Sequence, residues 1–415
     1  MKRQFWLKVI ITMVVMTGFL IGSISSAPAA DEMMIKELKK LIEIQQQQID
    51  ALKERVDKLS NSEVAAEAAP TGVVKSGNKT ASGQLYGQVN RGVLVANDRE
   101  DTNVYHVDNA NSSTRFGLNG NAEVSDDLAI GTKIEVQFES NSTADVNQDN
   151  KRDAGDNHFT QRHFDFWIDS KTMGKLSIGQ GDTASNATSE VDLSGTDLIG
   201  YSSVSDLAGG ILFYDNTIQG LSTTNVGNVF SNMDGLSRDD RVRYDTPDFS
   251  GFYASTSFIA DDAIDIAIRY SAKFPGFRLA SALAYAWPED ARDFDSQVNG
   301  SISMLLNCGF SATFAAGGRD YDSAARNDSN FYYGKLGYQW KPFSVGLTAI
   351  SIDYGNFNEI DSNDDDSNTF GIQFVQKVSD WSTEFYMGYR FHELDRTGED
   401  YDDINALLTG ARFKF

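Results

Sequence analysis

Three groups of residues in this sequence could do chemistry. The run DVNQDNKRDAGD sets Asp145, Asn147, Asp149, Asp153 and Asp156 at positions 1, 3, 5, 9 and 12 of a loop, the spacing at which oxygen ligands surround calcium. Asn150 replaces the turn glycine, Asp156 replaces the bidentate glutamate, and no helices flank the run. Calcium therefore competes with a plain solvated acidic loop, and DSNDDDS at 361–367 is a weaker echo. The second group is the four histidines, at 106, 158, 163 and 392. No Ser/His/Asp arrangement of supportive spacing surrounds them, so no catalytic residues are assigned and an enzyme is not expected. The third group is charge on alternate positions of apolar runs. Arg115, Lys133, Arg241, Arg243, Arg269, Lys335, Arg390 and Arg412 carry positive charge in this way; Glu123, Glu135, Glu139, Asp165, Asp245 and Glu384 carry negative charge. Fixed charges lining a water-filled space sort solutes by charge and size.

Such a lining needs a compartment and a frame. The net charge of −23 in 415 residues argues against nucleic acid as a partner. MKRQFWLK, an apolar core and the small-residue site Ala27-Pro28-Ala29 read as a signal peptide over residues 1–29, and hence as export. A lone cysteine, Cys308, excludes an intramolecular disulfide and reads as a turn residue. Over 31–60, Ile35, Ile42, Ile49 and Val56 fall at heptad position a, and Leu38, Gln45, Leu52 and Leu59 at d. This is the pattern of a short parallel coiled coil, with Gln45 setting register. Ile at a with Leu at d favours two strands; Leu41 and Ile44 widen the face and permit three. Residues 61–82 are small, polar and Gly/Pro-punctuated, and read as a linker.

From residue 83 to 415 the pattern turns to period two. Ile264, Ile266, Ile268 and Tyr270 oppose Asp265, Arg269 and Lys273; Ile134, Val136 and Phe138 oppose Lys133, Glu135 and Gln137. Sixteen such segments are predicted, joined alternately by short turns such as SDD, KTM and NCG and by long acidic loops. A sandwich has no reason to keep its long loops on one side, whereas a transmembrane barrel does. Aromatics gather at the short turns: Phe249, Phe252, Phe274, Phe277, Trp340, Phe343, Trp381, Phe413 and Phe415. The predicted fold is an all-β, 16-stranded antiparallel transmembrane β-barrel in the outer membrane of a Gram-negative bacterium. It meets outer-membrane lipid and lipopolysaccharide, with the helix in the periplasm and peptidoglycan as that helix's candidate partner.

The pieces GQLYGQVNRGV, STRFGLNG, GKLSIGQGD and RDDRVRYDTPDFSGF, with the terminal Phe415, resemble the trimeric Gram-negative porins in their order along 83–415. The resemblance implies a homotrimer, passive passage of small hydrophilic solutes, and a third loop, here 181–237, folded into the barrel. That loop carries Asp182, Glu190, Asp192, Asp197, Asp206, Asp215 and Asp234. Opposite the basic wall it would set up a transverse field, with Arg115, Arg241 and Arg243 foremost because they lie in the matching motifs. The basic wall inclines the channel to small anions such as carboxylates, while acidic outer loops enrich cations at the mouth at low salt. GGILFYDNTIQG within the loop is a candidate hairpin. Arg91 shares the outward face of Leu85, Val89, Val93 and Val95 and is expected at the subunit interface, paired with a neighbour's carboxylate or carbonyl; a bulge that turns it inward is the alternative. Arg162 has the same conflict with the alternation and is expected near a rim. The competing reading is an envelope-tethering or adhesive protein that uses the barrel as an anchor.

Overall fold

The computed structural model describes residues 75–77, 81–152 and 159–415. The signal segment, the heptads from Ile35 to Leu59 and most of the 61–82 stretch lie outside the described residues. Sixteen antiparallel strands form one closed sheet. In chain order they are β1 (Ala81–Asn97), β2 (Arg115–Glu123), β3 (Leu128–Phe138), β4 (Phe159–Ser170), β5 (Gly174–Asp182), β6 (Arg238–Asp245), β7 (Phe252–Ile259), β8 (Ile264–Lys273), β9 (Phe277–Trp287), β10 (Ser296–Leu306), β11 (Phe310–Asp320), β12 (Ser329–Phe343), β13 (Gly346–Asn358), β14 (Asp366–Val378), β15 (Thr383–Asp395) and β16 (Ile404–Lys414). Among the described residues no helix is long and apolar enough to cross a membrane; the crossing elements are strands.

Each strand keeps the alternation that its sequence announces. On β8, Ile264, Ile266 and Ile268 are exposed on the outer surface while Asp265 and Ala267 are buried within. Phe164, Phe166 and Ile168 on β4, and Ile350, Ile352 and Tyr354 on β13, continue the outer apolar surface. A closed barrel leaves no open strand edge, so each backbone group finds a partner without water.

Closure is made between β16 and β1, in register from Gln88↔Lys414 to Asn97↔Asn405. Phe415 extends it: its N–H donates to the Gly87 carbonyl at 3.0 Å, and Gly87 N–H donates back at 2.9 Å. The Phe415 ring covers Gly87, where an added Cβ would stand 2.5 Å from the ring's Cζ. Gly87→Val is therefore expected to displace Phe415 and lower the thermal midpoint of the folded barrel, read from the temperature at which its compact band unfolds on gels. An unchanged midpoint would argue that the ring finds another seat without cost.

Several expectations need correction. Lys75–Gly77, inside the stretch read as linker, forms a short strand on β1, and β1 itself begins at Ala81. The first outer loop holds a further strand, Thr102–Asp108, which pairs with the outer half of β1. Aromatics stand at both ends of the barrel. Phe252–Tyr270 and Phe274–Phe277 stack at the short turns, while Phe138–Phe159 and Tyr285–Trp287 meet at the other end. The register shifts between Glu135 and Val136, where β4 carries one extra residue, Arg162. That bulge turns Arg162 inward, away from lipid.

Candidate functional site

Residues 183–237 lie against the inner wall of the barrel, held by inward-facing side chains of β7, β8 and β10 to β15. Ser301 Oγ accepts from Val191 N–H at 2.9 Å, Ser303 Oγ from Leu193 N–H at 2.9 Å, and the Thr196 and Ser351 hydroxyls meet at 2.6 Å. Ile199 seats on Gly388, where an added Cβ would stand 2.6 Å from its Cγ1. Within the loop, Leu212–Asp215 and Gly220–Asn225 pair as a hairpin, as the GGILFYDNTIQG stretch suggests, and a one-turn helix, Val226–Val229, follows. Phe213, Phe230, Ile199, Leu207 and Val226 form the core beneath it.

Much of the predicted basic wall serves to hold this loop. At its root, Arg241 donates to the carbonyls of Gly179 (2.7 Å) and Asp182 (3.0 Å) and pairs with Asp165 at 2.8 Å. Arg243 reaches the Thr183 carbonyl at 2.8 Å and pairs with Asp245 at 2.6 Å; Arg269 caps the carbonyls of Ala184 and Asn186, both at 2.7 Å. These three arginines turn the chain inward off β5 and leave few donors for a passing solute. Asp192, expected at the narrow point, forms a buried pair with Lys335 at 2.6 Å, pinning the loop to β12. Arg390, also expected in the lumen, is fully buried on Asp353 at 2.8 Å.

The charges that do converge line a cavity of about 520 Å³ between loop and wall. Arg115, Arg162, Arg238 and Arg412 stand on the wall; Glu190, Asp197, Asp206 and Asp234 stand on the loop, with Tyr201. Arg115 and Arg412 share the Ser112 hydroxyl, at 3.1 and 2.7 Å. Arg412 also pairs with Glu384, Arg162 with Glu135 at 2.7 Å, and Arg238 with Asp182 at 2.8 Å. Arg115 has no carboxylate within ion-pair distance among the described residues, so its charge is the one left open to the cavity. Arg162 is legible from the alternation only as a conflict. Arg238 sits at the first position of β6, where no run yet exists to assign it a face.

Glu190, Asp206 and Asp234 are weakened as acids. Burial raises Glu190 well above the usual carboxylate range, and Asp234 and Asp206 nearby add to it. Burial also raises Asp234, to about 6, against the N–H groups of Ala187 and Ser189 that it accepts. Asp206 is raised by burial too, while its bond from the Tyr201 hydroxyl at 2.7 Å opposes the rise. A raised carboxyl takes up its proton earlier as pH falls. Lowering the pH through about 6 is thus expected to remove negative charge from the cavity and raise anion-to-cation permeability, read as a shift of reversal potential. No shift across that range would mean the carboxyls do not face the ion path.

Lys133, the remaining wall residue, lies 3.9 Å from Glu135 in a second space below the loop root. Arg91 does face outward, but its partners are in its own chain: the Ser140 carbonyl at 2.5 Å and Asp108 at 3.8 Å. Within the chain a carboxylate comes from the first outer loop and a carbonyl from the second. Of the calcium-spaced run, Asp153 and Asp156 lie outside the described residues. Asn147 Oδ1 accepts from the N–H groups of Asp149 (3.0 Å) and Asn150 (2.8 Å), and Asp145 N–H donates to Ser142. His163 is buried 3.8 Å from Asp182, and His392 packs under Phe230. Cys308 lies exposed in the turn between β10 and β11.

A family model described as Gram-negative porin matches residues 63–397. Among solved structures, in-vitro folded OmpT, an outer membrane protein of Vibrio cholerae, is similar at 15% identity and a TM-score of 0.54, covering 83% of this chain and 100% of that one. The anion-selective porin from Comamonas acidovorans is similar at 15% identity and 0.53, over 81% and 100%. Salmonella typhi OmpF in complex with daunomycin is similar at 13% and 0.51, over 82% and 100%. At these identities the likeness is one of fold. No curated protein matches the chain.

Proposed function

This chain belongs to the Gram-negative porin family, and from that premise we propose that its channel passes small hydrophilic solutes by diffusion with a preference for small anions such as carboxylates. The observation that carries the preference is Arg115, whose charge has no acid partner among the described residues, facing the loop carboxyls Glu190 and Asp234, whose raised values blunt their negative charge. Where wall cations outweigh weakened acids, the local potential favours anions. The protein works as a homotrimer in this reading. A charged Arg91 on the outer face is costly against lipid and is better sheltered between barrels, and Vibrio cholerae OmpT has been solved in a trimer form.

The test is the reversal potential of purified protein in planar bilayers under a KCl gradient. A potential displaced towards the chloride equilibrium value is expected; displacement towards potassium would sink the anion preference. A barrel that conducts nothing would favour the envelope-tethering alternative instead.

A further inference from the structure

Below the loop root, on the short-turn side, the lumen holds a second cavity of about 360 Å³. Its wall carries an indole. Trp167 on β4 faces inward between Gly131 and Ser177, and its ring lies against Gly131, where any side chain would overlap it. An aromatic on the inner wall needs a reason, because the girdles and the lipid-facing surface account for the exposed aromatics of the outer face. The acids that line the cavity are already matched: Asp165 by Arg241, Asp245 by Arg243, and Asp182 by Arg238; Asp169, opposite Lys175 in the sheet, lies outside the lining. The two ammonium groups are held more loosely. Lys175 has no ion pair among the described residues, its Nζ 4.9 Å from the centre of the Trp167 ring, and Lys133 has only a long pair, at 3.9 Å, with Glu135, an acid that Arg162 already holds at 2.7 Å. Asn119, Ser177 and His163 complete the lining.

We propose that this shelf is a binding site for planar aromatic monocarboxylates, entered from the channel and distinct from the arginine-lined cavity above it. The solute's ring stacks on the indole, and its carboxylate takes up Lys175 and Lys133. Lys175 leaves the ring face to do so, exchanging a cation–π contact for a charge-assisted hydrogen bond. An aliphatic ring offers no π face for the indole to stack with, so the site discriminates planar from saturated rings. The proposal rests on the channel reading for access alone; binding itself needs only the folded barrel.

The experiment titrates detergent-solubilised full-length protein with benzoate and with cyclohexanecarboxylate. Trp167 fluorescence is followed in a variant whose Trp6, Trp287, Trp340 and Trp381 are phenylalanine. Benzoate is expected to bind about tenfold more tightly than cyclohexanecarboxylate, and Lys175→Gln to weaken benzoate by about tenfold. Trp167→Leu, followed through benzoate-induced interruptions of KCl current, should abolish the preference. The compact, heat-sensitive band of each variant on gels certifies that it has folded. Equal affinity for the two acids, no response of Trp167 to benzoate, or an unchanged affinity in Lys175→Gln would each overturn the site. Loss of KCl conductance in the parent protein, with Trp167 still responding, would instead reject the channel reading and leave the shelf standing.

Discussion

Asp192→Ala is expected to release the inner loop from β12. The Lys335 ammonium has no exposed surface and rests on Asp192 and the Gly200 carbonyl, so removing the acid strands a buried charge. Breaking a buried pair from one side typically costs about 3–5 kcal/mol. The cost should appear as a lower urea midpoint and as faster proteolytic nicking within 183–237 of the folded barrel. Asp192→Leu combined with Lys335→Met should recover most of it, because no charge is then left without a partner. A single variant as stable and as resistant as the parent would show that water reaches Lys335 and that the pair does not hold the loop.

Arg115→Gln is expected to change ion selectivity more than any replacement at the loop root. Among the described residues its charge lacks an acid partner, so neutralising it alters the cavity's field without exposing a new anion. One charge a few ångströms from the ion path, in a medium mostly like water, is worth about 1 kcal/mol. That corresponds to about a fivefold fall in anion-to-cation permeability, measurable as reversal potential. Arg241→Gln should move selectivity far less and destabilise the loop more, since its donors end on Asp165 and two carbonyls. If the two variants shift selectivity alike, the division between lining and anchoring arginines is wrong.

The frame was legible because period two is written into each strand. Residues 264–273 and 159–170 can be bounded from alternation alone, and Phe415 can be placed on the outer face from the parity of Phe413. The strand Thr102–Asp108 escaped because the acidic run before it reads as open loop. The site was less legible, for two physical reasons. A single extra residue in β4 reverses the face of Arg162, and nothing in its neighbours announces the bulge. Whether an inward arginine's donors end on carbonyls, as those of Arg269 do, or stay open, as those of Arg115 do, depends on the path of a loop whose rests are serines and a glycine. Ser301, Ser303 and Gly388 look like ordinary lumen residues until Val191, Leu193 and Ile199 are seen upon them.

Because the body of the inner loop leans on β10 to β15, both cavities lie against strands within β2 to β6, and the upper one also borders the loop and β16. The route across the membrane is consequently eccentric, a gutter running down one flank of the cylinder. A molecule in transit would keep one side turned to the same few strands throughout. Its fit would then be judged by the chemistry of that side as much as by its girth.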